Sequence, residues 1–177
     1  MTFNDRATAG VFVLAAILFQ AFWLGLPAIT LSIGMVITYA VWAAGGWTYH
    51  PKIRAVYGIG CLVFLFHFAE EYLTGLHHAG PALFGREPWT DLQFLLFNGV
   101  WFCVFALSWL FLRADRAIAL FILFFFALIG GAANGVIHVG LALNASGYFP
   151  GLGTAPFCLV VGIWMLRESY TRDAACV

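Results

Sequence analysis

Long apolar runs, separated by short stretches rich in glycine, proline or charge, make up almost the whole chain. Six runs can be cut, at residues 7–24, 28–47, 56–77, 91–112, 117–144 and 150–166. Each is close to the roughly 20 residues that cross a bilayer as a helix, the last being short. The interruptions are turn-forming: Gly25-Leu26-Pro27, His50-Pro51, the loop from Gly80-Pro81 to Pro88, the charged Arg113 to Arg116, and Ser146 to Gly151. The pattern predicts an all-α fold, a six-helix transmembrane bundle, with one membrane domain over residues 1–177. No internal repeat or low-complexity tail interrupts it.

Composition agrees with that picture. Of the 177 residues, 63% are hydrophobic and 9% charged, and the mean hydropathy is +0.95, values a water-soluble domain of this size does not sustain. The formal net charge is zero, which argues against nucleic-acid binding and points to the lipid bilayer and an apolar small molecule as partners. Basic residues divide unevenly under the six-span cut. Arg6, Lys52, Arg54, Arg113, Arg116, Arg167 and Arg172 fall on one side and Arg86 alone on the other. The excess of positive charge on cytoplasmic loops then predicts an inner-membrane protein with both termini cytoplasmic. The first run lacks the basic flank and small-residue cleavage site of a secretory signal, so it is expected to stay as a helix. Cys61, Cys103 and Cys158 lie in apolar runs with no Cys-x-x-Cys spacing and read as packing residues.

Within the runs, polar side chains are few and therefore informative, because an ionisable group at bilayer depth is expensive unless paired, protonated or metal-bound. Of the eight acidic residues, six sit at helix ends or in loops, which leaves only Glu70 and Glu71 in the interior of a run. At about 100° per residue, His67, Glu70 and Glu71 occupy an arc of roughly 100°, which Thr74 and His78 extend. Asn134 and His138, one helical turn apart, can face that stripe from another run. At about 1.5 Å of rise per residue, Glu70 lies about 21 Å and Asn134 about 25 Å from the cytoplasmic end, Gln20 about 20 Å, and Asn98 about 10 Å below the opposite surface. Four helices would thus bring polar groups to one level.

Adjacent carboxylates in a low dielectric hold a proton or share a cation. A histidine with carboxylates three and four residues on, plus a second histidine from another helix, is a ligand set for zinc or iron in helical bundles. The expected metal ligands are His67, Glu70, Glu71 and His138, with Glu70, Glu71, Asn98 and Asn134 as catalytic groups and a divalent metal, Zn or Fe, as cofactor. His77 and His78 lie at the outer interface, His78 the better placed because it continues the Glu71 stripe. Tyr148-Phe149-Pro150-Gly151, with Thr154 following, reads either as a loop entering the last helix or as a cap over the polar pocket.

His67-x-x-Glu70-Glu71, Asn134-x-x-x-His138, and Tyr148-x-Pro150-Gly151 with Thr154 resemble the HXXEE-domain family of small bacterial membrane proteins, over about residues 61–177. The resemblance implies an enzyme whose His, Glu and Asn residues form the site, and implies nothing about substrate. Three functions fit the residues. The first is a metal-dependent hydrolytic or oxidative membrane enzyme acting on a lipid-like or isoprenoid substrate. The second is a metal-free acid–base isomerase or cyclase of an isoprenoid, and the third is a proton or cation carrier.

Overall fold

A computed structural model describes residues 2–24, 26–45, 47, 49–112 and 117–169. Among these the chain is all-α: α1 (Phe3–Leu24), α2 (Leu26–Ala44), α3 (Pro51–Leu73), the short α4 (Leu76–Ala82), α5 (Asp91–Leu110), α6 (Ala117–Asn144) and α7 (Ala155–Ser169). The breaks expected at Gly25 and at Arg113 to Arg116, and the basic Arg172, lie outside the described residues.

Local chemistry explains most boundaries. His50 is extended at the N-cap of α3, its ring nitrogen accepts from the Lys52 N–H, and Pro51 follows in the first turn, where its missing N–H goes unneeded. Thr90 and Gln93 form a reciprocal capping box at the start of α5. Several boundaries differ from the sequence expectation, the third helix starting at Pro51 rather than at residue 56 and the first at Phe3 rather than at residue 7, and two of the differences shape the site. The third helix ends at Leu73 rather than at residue 77, because Gly75 adopts φ +85° and turns the chain into α4. The last begins at Ala155 rather than at residue 150, since residues 150–154 form turns that include Gly151 at φ +89°.

Helix α6 is the centre of the molecule. Residues 121–127 are buried without a break, as expected of a helix that is apolar all round and surrounded by others. Phe121 meets Phe12 of α1 and Trp42 of α2, and Phe125 meets Trp101 of α5. The turns of α6 widen to π-helical over Phe126–Ala133, just before Asn134 and His138. There the backbone lies against α7: a Cβ on Gly131 would sit 2.7 Å from Gly162 Cα, and one on Gly162 would sit 2.4 Å from the Ala132 nitrogen. Small residues permit this approach, as in membrane helix pairs.

Outward faces are apolar. Leu18, Phe66, Leu96, Ile137 and Ile163 are exposed, a contiguous kind of surface that soluble monomers avoid. Three helices, Pro51–Leu73, Asp91–Leu110 and Ala117–Asn144, are long and apolar enough to cross a membrane. The shorter stretch Leu31–Ala44 of α2 is also apolar, whereas α7 has 15 residues.

Candidate metal centre

The two carboxylates of the His67-x-x-Glu70-Glu71 stretch leave α3 in different directions, as neighbours about 100° apart on a helix must. Glu71, one turn beyond His67, turns inward: its Oε1 lies 3.1 Å from His67 Nε2 and 3.0 Å from His138 Nε2 of α6. All three residues are buried, and the two imidazoles stand edge to face with ring centres 4.9 Å apart. The three donor atoms lie within 4.8 Å of one another, and the group could hold a metal ion.

Glu70, expected among the ligands, stands apart from this group and binds the segment before α7. Its Oε1 accepts from the Tyr148 hydroxyl at 2.5 Å and the Gly153 N–H at 2.8 Å. Its Oε2 accepts from the Thr154 N–H at 2.7 Å and from the Thr154 hydroxyl. A carboxylate from α3 thus serves as the N-terminal acceptor for α7, satisfying orphan N–H groups and facing the positive end of that helix. Burial, and then the neighbouring Glu70 carboxylate, push the Tyr148 phenol above its ordinary value, so it remains a donor at neutral pH.

The two halves are joined through Thr154. Its single hydroxyl hydrogen goes to Glu70, so its oxygen accepts from His67 Nδ1, 2.7 Å away. With Nδ1 carrying the proton, neutral His67 presents an Nε2 lone pair, and Asn134 Nδ2 donates to that nitrogen at 2.7 Å. Glu71 Oε1 lies 3.1 Å from the same nitrogen, so its single lone pair serves either the Asn134 N–H or a proton or cation set toward Glu71, not both at once.

Three glycines shape the cap. Gly151 at φ +89° lies under both rings: a Cβ there would be 2.6 Å from His138 Cε1 and 3.0 Å from His67 Cε1. A Cβ on Gly153 would be 2.9 Å from Glu70 Oε1, and one on Gly135 would be 2.7 Å from the Ala155 carbonyl oxygen. Of the two sequence readings of this segment, the structure realises the cap. The sequence contained its signal, glycines alternating with a hydroxyl residue ahead of a helix, but not the bonds to Glu70 and His67.

Other expected residues lie further out. Asn98 donates to the Phe94 carbonyl of its own helix at 3.1 Å and lines a cavity that Glu71 and Asn134 also line. His77 Nε2 sits 3.2 Å from Asp91 Oδ1, and His78 is exposed beside it; neither joins the His–Glu–His group. Gln20 accepts from the Ser32 hydroxyl at 2.9 Å, between α1 and α2.

Helices able to cross a membrane and a buried His–Glu–His group define the class, an all-α chain of membrane-protein type with a buried polar site. Within that class the chain belongs to the HXXEE family, described as a protein of unknown function with HXXEE motif, whose sequence profile matches residues 59–165. His67, Glu70 and Glu71 are the motif. No curated protein and no solved structure matches the chain.

Proposed function

We propose that the protein is an integral membrane enzyme in which His67, Glu71 and His138 hold one divalent ion, zinc or iron, and act on a lipid-like or isoprenoid substrate. The observation that carries this reading is the buried Glu71 Oε1 set against both His67 Nε2 and His138 Nε2. Two histidines and a glutamate are a three-ligand set of catalytic zinc sites, which keep one position open. Glu71 stands 3.1 and 3.0 Å from the two imidazole nitrogens, near the roughly 3.3 Å expected of ligands about 2.0–2.1 Å from a shared tetrahedral ion, and all three donors lie within 4.8 Å of one another, so the imidazoles would draw together on binding. Glu70 and Thr154 act on His67 as outer partners do, fixing its tautomer and aiming its nitrogen.

When bound, such an ion supplies Lewis acidity, polarising a substrate oxygen or acidifying water. The chain's own groups do the rest. Glu71 Oε2, outside the imidazole contacts, is placed to take or return a proton. Asn134, beside His67 Nε2, is free to donate to a substrate oxygen once that nitrogen is a ligand, Asn98 adds a polar edge to the adjoining cavity, and apolar walls exclude water. Metal analysis of protein purified without chelator tests this. About one ion per chain is expected, and loss of it in His67→Ala and His138→Ala; no stoichiometric ion in the wild type ends the reading.

One observation favours a metal-free acid–base enzyme instead: His138 Nδ1 is buried with no partner. Its proton then sits on Nε2, shared with Glu71, and the aromatic wall of Phe64, Trp101, Phe105 and Phe125 would stabilise a cationic intermediate. This alternative predicts activity that survives chelation.

We further propose six spans in an inner membrane with both termini cytoplasmic. In support, the Glu70–Thr154 contact puts the end of α3 beside the start of α7, so Lys52, Arg54 and Arg167 share the opposite end of the bundle. Reporter fusions at the C-terminus, active only in the cytoplasm, check the orientation.

A further inference from the structure

Two cavities adjoin the site, of about 220 Å3 and about 320 Å3. Both are lined by Glu71, Leu76, Trp89, Phe94, Asn134 and Ile137, and from that shared floor they diverge. The first runs toward α2, α5 and α6, where Leu31, Trp101, Phe105 and Phe125 line it. The second runs beneath α4 toward Pro81, Phe84, Leu141 and Phe149.

Glu71 and Asn134 lie in the shared part, with Asn98 added on one side and His138 on the other. Neither lining contains a lysine or arginine. Apart from the ion proposed above, nothing cationic would receive a phosphate or carboxylate head, which would have to shed water against the Glu71 carboxylate. A head group seated there would also leave one of the two arms unfilled.

We infer that the substrate is a neutral chain molecule whose single polar, reacting group is internal, with an apolar arm on each side: an ester or another neutral oxygen function within a chain, rather than a lipid with an anionic head. The inference deepens the proposed function and rests on that site being the one that takes the substrate. Each arm removes apolar surface from water or lipid headgroups, while Asn134 and Glu71 meet the one group that needs hydrogen bonds.

Native mass spectrometry of the full chain, released from detergent after chelator treatment, reads the binding directly. The probes are octyl octanoate, whose ester is central; ethyl tetradecanoate, the same size with its ester near one end; and palmitic acid. The central ester is expected to bind once per chain, and palmitic acid about tenfold more weakly or worse. Leu31→Trp fills only the first cavity and Leu141→Trp only the second; each is expected to weaken octyl octanoate by about tenfold, whereas only one of them affects ethyl tetradecanoate. Should either variant fail to fold, Ile129→Phe and Leu83→Trp repeat the two blocks. Palmitic acid binding as well as the ester, or an octyl octanoate signal insensitive to one of the two blocks, overturns the inference. Because the chain is stripped of metal, an absent ion in the wild type would defeat the proposed metalloenzyme and leave this result standing, and the reverse holds equally.

Discussion

Two places in this bundle put polar side chains among apolar ones, and they are built differently. Between α1 and α2, Gln20 takes one bond from Ser32, and its amide nitrogen is buried without a partner. Between α3, α6 and α7, His67, Glu71, His138, Asn134, Thr154 and Glu70 form a connected set in which His67 alone touches three other members. The first is an interhelical hydrogen bond of the ordinary membrane kind, worth on the order of 0.6 kcal/mol. The second concentrates several groups that are costly to bury and links them to one another, although His138 Nδ1 is also buried without a partner. A polar residue in a membrane helix is therefore no marker of chemistry by itself; a connected set of them is.

The contrast breaks first at the scaffold. Gly162→Ala drives a methyl into the Ala132 backbone, and is expected to cost about 3 kcal/mol or more, because the obstacle is main chain rather than a flexible side chain. A large fall in melting temperature in lipid nanodiscs checks it; an unchanged one would mean that α6 and α7 do not pack as described. Glu71→Ala should come next, at about 3 kcal/mol, since it leaves two buried imidazoles facing each other without their shared acceptor.

Thr154→Val sharpens the comparison. It removes the hydroxyl that joins Glu70 to His67 while keeping the side chain's shape, so the fold should survive and metal affinity should fall about 10–100-fold. Unaltered affinity would reduce Thr154 to a helix cap. Gln20→Leu, by contrast, should change stability by less than about 1 kcal/mol and leave metal content alone, because it removes one weak bond together with an unsatisfied amide. A large effect on either would put Gln20 into the connected set.

The smallest effect belongs to Tyr148. Its phenol pKa is raised in the folded chain, so the stability it lends through Glu70 is fully present below the unfolded phenol value near 10 and is lost only as pH rises through the higher folded value. Tyr148→Phe should therefore lower the melting temperature slightly and by the same amount at any pH from 6 to 9. A difference that changes across that interval would count against the assignment.

Much of this set was legible from spacing alone. Helical periodicity put His67 with Glu71 and brought Asn134 and His138 to the same site, because turn-to-turn neighbours share a face whatever the tertiary detail. The same periodicity contained the divergence of Glu70 from Glu71, but adjacency in sequence suggested one shared ion. Two features were out of reach for physical reasons. The end of α3 depends on Gly75 entering the left-handed region, a choice that glycine permits but does not dictate. The embrace of Glu70 by residues 148–154 joins positions more than 75 apart in the chain, which no local pattern encodes. Apolar content predicted six spans; three helices meet the length and hydropathy of a crossing by themselves.

The central claim is that the motif's two glutamates have separate duties, Glu71 as ligand and Glu70 as the residue that positions His67 through Thr154. Zinc titration of Glu71→Gln and Glu70→Gln side by side tests it most directly. Glu71→Gln should abolish stoichiometric binding, and Glu70→Gln should retain one site weakened by about 10–100-fold. Equal loss in both variants, or the greater loss in Glu70→Gln, would contradict it.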